Sequence, residues 1–316
     1  MSWSKLGNVF NPKVTKKDWY KYTFLTPTPF LKDKSTIRVY GGLRDAEGAS
    51  RIGYVDIDAN DPTKVLKVSD KPVLDLGNDG MFDDNGVILG DVVRASDGSI
   101  RMYYVGFQLP AKAKFLAFTG VAISHDGGDT FKRHQETPIL DRAPNGHFFN
   151  AIHTALYENG KWKFWCGAGS KWQKLGDNIY PSYSTWYAES ENGLDAIEVI
   201  AECLVPEGRE YRIGRPRVIK LNGQYHMFFT SDTLDKEYRG GVAISEDGIK
   251  WRRTKINYPV TVGNGWESEM ACYFAPFVVD NNLYACYNGN GMGRTGFGLV
   301  KYNGELINYG NEATNT

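Results

Sequence analysis

The chain has 316 residues, of which 41% are hydrophobic and 14% are aromatic, which is sufficient for a large buried core. Its 37 Lys and Arg residues balance 37 Asp and Glu residues, and this zero net charge argues against nucleic acid or an anionic membrane surface as the main partner. The sequence contains no apolar run of about 18 residues, so no transmembrane segment is predicted.

The first residues and the cysteines bear on the cellular compartment. Residues 1–8 contain no apolar segment of the kind found in a secretory signal, so we expect none. The cysteines lack C-x-x-C spacing and are expected to be free thiols in a reducing environment. We therefore expect a cytoplasmic protein. The four cysteines are Cys166, Cys203, Cys272 and Cys286.

A turn followed by a short aromatic strand recurs five times along the chain. Successive copies are separated by 63, 62, 63 and 58 residues. A repeat of this size is typical of a radial β-fold, because one twisted four-stranded sheet cannot bury both of its faces alone. We predict an all-β chain that forms a single-domain, five-bladed β-propeller. The repeated strands are centred on Arg38, Arg101, Lys163, His226 and Tyr284.

Each aromatic strand follows a hairpin turn, and Asn159-Gly160 and Asn222-Gly223 match a type I′ turn. The strand before each turn is expected to be the innermost strand of its blade, lining a central channel. Residues 3–10 are predicted to complete the last blade, since pairing the two ends of the chain removes an exposed sheet edge. The predicted blades cover approximately 15–75, 76–140, 141–205, 206–262 and 263–303.

Three predicted blades carry a turn of the form Ser-x-Asp/Asn-Gly after their third strand, at 124–127, 190–193 and 245–248. The first also fits the pattern S-x-D-x-G-x-T-F of the sialidase Asp-box. In such a turn the Asp and Gly residues satisfy backbone donors on the outside of a blade. We interpret these turns as evidence for the fold rather than for a function.

Polar residues occur at the same phase of the repeats, just before an inner strand or just after a second strand. Acids, arginines, amides and aromatic residues are mixed there, as carbohydrate sites require, because carboxylates and amides bind hydroxyls while aromatic faces stack on sugar rings. The candidate site residues are Arg44, Asp45, Asp83, Asp84, Asn85, His153, Lys171, Trp172, Arg215, Glu267, Glu269, Asn288 and Asn290.

Several candidates also have a structural interpretation. Asp83 could cap a turn, and Arg44-Asp45 could form an ion pair that fastens neighbouring blades. Glu267 and Glu269 would share one face of a strand, one towards the channel floor and the other towards its rim. A histidine on an inner strand, such as His153, is more often a core residue than a metal ligand. No cluster has metal-ligand spacing, so neither a metal nor another cofactor is predicted.

Arg215 lies directly before Pro216, which favours an extended strand at this position. A buried arginine requires an anionic partner. We therefore expect Arg215 to orient a carboxylate or to bind an anion.

Five short motifs resemble those of the five-bladed propeller glycosidases and their relatives, in the clans that contain glycoside hydrolase families 43, 32, 117 and 130. The resemblance covers the whole chain in blade order and turn placement. It is strongest for a group of glycosidase-like proteins found with surface-polysaccharide genes. The motifs are RD at 44–45, FDDNGV at 82–87, RP at 215–216, SEM at 268–270 and YNGNG at 287–291.

The resemblance implies carboxylate acid and base chemistry at the channel mouth, supplied in family 43 by an acidic triad on three successive blades. Here the carry-over is partial. The first inner strand, at 26–30, lacks the aspartate that serves as base, and 214–216 stands where a general-acid glutamate is expected. The acids that remain are Asp45, Asp84 and Glu269, and these are the predicted catalytic residues.

Three functions are open at this point. The first is a glycosidase-type hydrolase, or a related enzyme acting on a sugar or activated sugar, with Asp84 and Glu269 as acid and base. The second is a carbohydrate-binding propeller without catalytic activity. The third is a nucleotide-sugar-modifying enzyme of surface-polysaccharide synthesis, in which Arg44, Lys171 and Arg215 hold a phosphate. The expected partner is therefore a carbohydrate or nucleotide-sugar.

Overall fold

The computed structural model describes residues 2–14, 17–235, 238–255 and 258–304. Across these ranges the chain is built almost entirely of β-strands, with two short helical turns at Gly265–Glu267 and Asn290–Gly293. Residues 305–316 lie outside the described residues.

Antiparallel pairing arranges the strands of the described residues in five sets of four, which we number I to V. Two short parallel pairings, β8 with β10 and β12 with β14, join sets II, III and IV into one sheet. Set I contains β2 (Tyr22–Asp33), β3 (Thr36–Arg44), β4 (Ser50–Asp58) and β5 (Val65–Val68). Set II contains β6 (Val87–Arg94), β7 (Ile100–Gln108), β8 (Leu116–Ser124) and β9 (Lys132–Arg133). Set III contains β10 (Phe149–Glu158), β11 (Lys161–Leu175), β12 (Asn178–Ser190) and β13 (Glu198–Leu204). Set IV contains β14 (Glu210–Leu221), β15 (Gln224–Thr233), β16 (Tyr238–Ser245) and β17 (Arg252–Arg253). Set V contains β18 (Cys272–Val279), β19 (Asn282–Asn288), β20 (Phe297–Tyr302) and β1 (Trp3–Phe10).

The two ends of the described chain meet in set V. Strand β1 pairs antiparallel with β20, from Trp3 opposite Tyr302 to Phe10 opposite Phe297. This is the pairing that the sequence predicts for residues 3–10. It covers an edge of β20 that would otherwise be unpaired.

The first strand of each set contacts the first strand of the next, and β18 of set V in turn contacts β2 of set I. Residues at equivalent positions are hydrogen-bonded across these contacts. Thr26 Oγ1 donates to the Leu89 carbonyl at 3.3 Å, and the Val218 amide donates to Thr154 Oγ1 at 3.0 Å. We call β2, β6, β10, β14 and β18 the inner strands, because each faces inner strands on both sides.

The hydrophobic core lies between neighbouring sets rather than within any one of them. Separate buried clusters join set I to II, II to III, III to IV, IV to V and V to I. Each four-stranded set is thus apolar on both faces and needs two neighbours to bury them, which is the physical basis of the sequence repeat.

A repeated hydrogen bond explains both the aromatic strand and the Ser-x-Asp/Asn-Gly turn. An aromatic side chain on the second strand of one set donates to a glycine carbonyl in the outer turn of the next. The first turn is organised as expected, since Asp126 Oδ1 accepts from the backbone amides of Asp129 and Thr130 at 3.1 and 3.0 Å. The three repeated donors and acceptors are Tyr40 with Gly128, Tyr103 with Gly193 and Trp165 with Gly248, at 2.8, 2.9 and 2.8 Å.

One part of the strand pattern differs from the expectation. Strand β11 of set III extends well beyond the short strand predicted around Lys163, as far as Leu175, and β12 begins correspondingly early, at Asn178. The added hairpin is mostly polar, so it lacks the apolar alternation by which strands are recognised in a sequence. Within the described ranges, no helix is long and apolar enough to span a membrane.

Asn288, the last residue of β19, connects set V to set I. Its Oδ1 accepts from the Thr26 amide at 2.9 Å, and its Nδ2 donates to the carbonyls of Phe24 and Gly296 at 2.7 and 2.9 Å. The side chain is fully buried. Since buried polar groups are costly to leave unpaired, this residue fastens the last set to the first.

Replacing Asn288 with Ala is expected to lower the free energy of unfolding by about 3 kcal/mol, because it removes three buried hydrogen bonds and takes the side-chain acceptor away from the Thr26 amide. Urea denaturation measures this change. The matched control is Asn282→Ala at the other end of the same strand, whose Nδ2 makes one local bond to the Asp280 carbonyl. Equal losses in the two variants would contradict the assignment.

Candidate active site

Every inner strand carries a bulge at the same phase of the repeat. Pairing with the second strand is interrupted at Thr26-Pro27, Gly90, His153, Arg215-Pro216 and Tyr273-Phe274. A bulge re-aims side chains and is common beside functional sites. Thr26, Arg215 and Tyr273 also have positive φ angles of 54°, 53° and 56°. Non-glycine residues adopt this conformation at an energetic cost, so these five bulges mark the centre of the candidate site.

Arg215 reaches from set IV to the inner strands of three other sets. Its guanidinium donates to the Leu89 carbonyl of set II and, at 2.7 Å, to Thr28 Oγ1 of set I. Its Nη1 also lies 3.4 Å from Nδ1 of His153 in set III. These partners are neutral, which differs from the expectation of a direct anionic partner.

The carboxylate of this network belongs to Asp91 of set II, and it pairs with the second arginine of β14. Asp91 Oδ1 lies 2.8 Å from Nη1 of Arg217, while Oδ2 accepts from the Ala155 amide at 2.9 Å. Burial, followed by the charge of Arg217, lowers the pKa of Arg215 to about 9. The inner strands thus enclose two arginines and one carboxylate.

His153 is buried beside both arginines. Burial, followed by the charges of Arg215 and Arg217, holds the pKa of this imidazole well below its ordinary value of 6.5. The ring is therefore neutral at physiological pH, so that Nδ1 can accept a hydrogen bond from Arg215.

Sets III, IV and V each contribute one partly exposed tyrosine beside the inner strands: Tyr183, Tyr238 and Tyr273. The ring centres of Tyr238 and Tyr273 are 5.9 Å apart, with the rings nearly perpendicular. The ring centre of Tyr183 lies 4.9 Å from that of Phe149, with the rings tilted. The guanidinium of Arg212 lies 5.7 Å from the Tyr183 ring. These tyrosines are not among the predicted site residues, because they precede or interrupt the regular strand pattern of the sequence.

Arg212 is itself held by Asp232. Arg212 Nη2 lies 2.6 Å from Asp232 Oδ2, which also accepts from the Tyr211 hydroxyl at 2.5 Å. A fixed arginine beside tyrosine rings offers both donors for hydroxyls and apolar faces for a sugar ring.

The three predicted site residues before β6 have different environments. Asp83 is buried and pairs with Arg133 Nε at 2.8 Å within set II. Asp84 is half-buried, accepting from the Gly80 amide at 3.0 Å and from Asn85 Nδ2 at 2.8 Å. Asn85 is exposed. Asp84 is thus held in place by neutral donors, whereas Asp83 serves the packing of its own set.

Asp45 and Arg44 do not pair with each other. Asp45 pairs with Arg51 of β4 and accepts from the Ala49 amide at 3.0 Å in the turn between β3 and β4. Burial raises the pKa of Asp45, but the hydrogen bonds from Arg51 and Ala49 outweigh it and hold the pKa below its usual value. Arg44 Nε is buried without a hydrogen-bond partner among the described residues.

The predicted residues of set V divide between the packing and the surface. Glu267 is buried, with Lys5 Nζ at 2.8 Å and the Tyr287 hydroxyl at 2.7 Å. Glu269 is exposed, and its amide donates to Asn290 Oδ1 at 2.8 Å, which fixes the loop that carries it. A direct substrate contact by Glu267 would require its bonds to Lys5 and Tyr287 to break. A contact by the buried Asn288 would likewise require it to release Thr26, Phe24 and Gly296.

Lys171 and Trp172 lie on the extended β11–β12 hairpin of set III. Lys171 is exposed, whereas Trp172 stacks on Phe148 with ring centres 4.2 Å apart. Trp172 therefore belongs to an aromatic cluster between sets II and III, together with Phe115.

A basic pocket of about 570 Å³ lies where set V meets set I. It is lined by Lys13, Lys21, Tyr22 and Arg294. Tyr22 pairs in register with Arg44, so the two side chains lie on the same face of the sheet. The described residues contain no cluster of three or more His, Cys, Asp or Glu side chains that could hold a metal ion.

The fold is shared with glycoside-hydrolase-like propeller enzymes, as the sequence motifs predict. The structure of a BT0996 RGII complex matches with a TM-score of 0.71 at 14% identity, covering 95% of this chain and 91% of that protein. A structure from glycoside hydrolase family 130 matches with a TM-score of 0.66 at 14% identity, covering 97% of this chain and 93% of that protein. That family is described as mannoside phosphorylases that include glycoside hydrolases targeting β-1,2 mannosidic linkages in Candida mannan. The family 32 β-fructofuranosidase BmSUC1 of Bombyx mori matches with a TM-score of 0.60 at 12% identity, covering 92% of this chain and 62% of that protein.

The chain belongs to the same family as Rv1502 of Mycobacterium tuberculosis strain H37Rv. The two are 31% identical over 302 residues, which covers 95% of this chain and 99% of Rv1502. MT1551 of strain CDC 1551 matches over the same shares at the same identity. Both relatives are described as uncharacterized, and no family model matches the sequence.

The neutral state of His153 predicts a pH dependence of stability. Because the folded state resists protonation of this ring and the unfolded chain does not, the free energy of unfolding should fall as the pH drops below 6.5, by up to about 1.4 kcal/mol per pH unit. His153→Gln should reduce this slope, because a glutamine side chain does not titrate. The fold should be retained, since the amide oxygen of glutamine can still accept a hydrogen bond from Arg215.

The measurement is urea denaturation from about pH 7.5 to about pH 5.5. His226, whose pKa burial also lowers, will leave a residual slope in the variant. The exposed His147→Gln is the control and should keep the parent slope. A slope that is unchanged in His153→Gln would show that the ring is not held neutral.

Proposed function

We propose that the chain is a glycosidase-type enzyme that acts on a sugar or activated sugar by carboxylate acid and base chemistry at the channel mouth. The observation that carries this proposal is the set of bulges at one phase of all five inner strands, three of which carry Arg215, His153 and Tyr273, with Arg215 in contact with His153. The fold shared with glycoside hydrolases supports the same class of chemistry, although a fold alone does not define an activity.

The architecture we propose around this site is a closed, five-bladed propeller in one domain, with sets I to V as its blades. Its support is the sequence of inner-strand contacts that returns from β18 to β2, together with a buried cluster between every neighbouring pair of sets. The four free thiols agree with a cytoplasmic location, which we also propose.

Asp84 and Glu269 are the proposed acid and base. Within the described part of the chain neither carboxylate is ion-paired, and each lies in a loop that enters an inner strand. Asp45 is held ionised by Arg51 and cannot readily supply a proton, so it is proposed to position the neighbouring turn and tune the site.

In this mechanism the sugar packs on Tyr183, Tyr238 and Tyr273 while Arg212 and the arginine network bind its hydroxyls. One carboxyl group protonates the departing oxygen, and the other, ionised, attacks the anomeric carbon or activates water. Carboxyl groups about 5–5.5 Å apart would retain the anomeric configuration, and a separation of about 6.5–9.5 Å would invert it. The inner strands exclude bulk water below the sugar, since Arg215 and His153 are buried.

Asp84→Asn and Glu269→Gln should each lower the turnover number by ~10²–10⁴-fold while leaving sugar affinity nearly unchanged, because general acid–base help acts mainly in the transition state. The measurement is hydrolysis of aryl glycosides, with affinity followed by calorimetry. Asp79→Asn, an exposed aspartate in the loop of Asp84, is the matched control. Unchanged turnover in both variants would reject the catalytic assignment. Sugar binding by a parent protein without turnover would favour the carbohydrate-binding propeller instead.

The basic pocket favours a second candidate function, modification of a nucleotide-sugar in surface-polysaccharide synthesis. Three cations line it, and among the described residues none of Lys13, Lys21 and Arg294 is ion-paired. Cations that lack acidic partners and surround a cavity are suited to a phosphate group.

If this second function is correct, Arg294→Gln should weaken the binding of a UDP- or GDP-linked sugar by about tenfold, the scale of one charge-assisted hydrogen bond, without changing the affinity for the free sugar. The comparison is made by calorimetry. Arg252→Gln, on the outer strand of set IV, is the control. Equal binding of nucleotide-sugars by the parent and Arg294→Gln would exclude a phosphate in this pocket.

A further inference from the structure

A second, larger cleft lies on the side of set III. It has a volume of about 910 Å³ and is bounded by residues 139–145, the base of the β11–β12 hairpin, strand β13 and residues 205–206. Its size falls within the range of about 300–1,000 Å³ that is typical of ligand sites. None of the proposed catalytic residues lines it.

The cleft contains a tryptophan whose orientation is fixed from behind. The indole Nε1 of Trp186 donates to Ser184 Oγ at 2.9 Å, and this hydroxyl donates to Glu202 Oε1 at 2.5 Å. Trp186 remains partly exposed while lining the cleft. A tryptophan that is held rigidly with part of its ring accessible offers an apolar face at little entropic cost.

Polar groups surround this ring. Asp141, Arg142 and Lys171 are exposed at the cleft, and among the described residues neither Arg142 nor Lys171 has a carboxylate partner. Acidic and basic side chains are mixed, so the lining does not select a strongly anionic ligand. Together with Asn145, these groups offer both donors and acceptors, which is the requirement for binding hydroxyls.

The cleft adjoins the candidate active site through one residue. Tyr183 lines the cleft and also packs on Phe149 of the inner strand β10, with ring centres 4.9 Å apart. Its ring is 5.7 Å from the guanidinium of Arg212. A ligand that extends along set III would therefore contact both places.

We propose that this cleft binds further units of a glycan chain, so that the substrate is an oligosaccharide rather than a monosaccharide. The reacting unit lies at the inner strands, the next units pass Tyr183, and a distal unit stacks on Trp186 while Lys171 and Arg142 bind its hydroxyls. This inference rests on the proposed action on sugars at the channel mouth and names the substrate class of that site.

The test is calorimetric titration with β-linked manno-, gluco- and galacto-oligosaccharides of one to six units. In the parent protein, affinity for the series that binds should rise about tenfold or more as units are added to reach Trp186, as expected for burial of one aromatic face. Trp186→Ala should remove this gain and leave the affinity for the monosaccharide unchanged. Lys171→Ala, a change at an exposed position, should remove part of the gain and shows the effect independently of any loss of folding in the tryptophan variant.

Tyr157→Ala is the matched aromatic control, because Tyr157 is exposed on β10 near the opposite hairpin turn of the same set. It should retain the full dependence on chain length. Binding of monosaccharides with no gain from added units would overturn the glycan cleft and leave the proposed function standing. A gain that persists in both Trp186→Ala and Lys171→Ala would also overturn it. Failure of every sugar to bind would instead overturn the proposed function, and this inference with it.

Discussion

The inner strands are organised around a buried charge network in which one strand, β14, carries two arginines: Arg217 is paired with the carboxylate of Asp91, and Arg215 is held by neutral groups. Arg217 forms the ion pair with Asp91, and Arg215 extends past it to the strands of three other sets. Removing either Asp91 or Arg217 would leave the buried charge of the other uncompensated, which costs several kcal/mol. This network fixes the relative positions of β2, β6, β10 and β14, and therefore the positions of the loops that enter them.

The same network bears on where an acid could act in the proposed chemistry. An acid placed beside Arg215 would be held ionised and could not donate a proton at neutral pH. The buried centre contributes positive charge and neutral acceptors. The acids of the proposed chemistry, Asp84 and Glu269, lie in the loops before β6 and β18. Their loops are fixed by neutral hydrogen bonds, from Gly80 and through Asn290, which leave the carboxylate charge uncompensated.

The bulges connect this packing to function. A regular strand would direct alternate side chains to the two faces of its own sheet, where they would be buried between sets. The extra residue at each bulge leaves the ladder. Arg215 and His153 thereby come within 3.4 Å of each other, and Tyr273 lies against Tyr238. The backbone cost at Arg215 and Tyr273, both with positive φ, is borne by the surrounding sheets, as is usual where geometry serves a site.

The sequence determined the elements and their order, because the repeat of turns and aromatic strands reflects sets that are apolar on both faces. It predicted the pairing of residues 3–10 and placed His153 and Arg215 on inner strands. Tertiary structure decided what each polar residue does: Asp83 and Glu267 occur at the same phase as Asp84 and Glu269, yet the first pair is buried against Arg133 and Lys5. Phase along a strand gives the end of the sheet at which a residue lies, but its partner comes from distant positions such as Arg133, 50 residues away. Tyr183, Tyr238 and Tyr273, and likewise the cleft that contains Trp186, could not be predicted for the same reason, since residues distant in the sequence come together there only when the chain is folded.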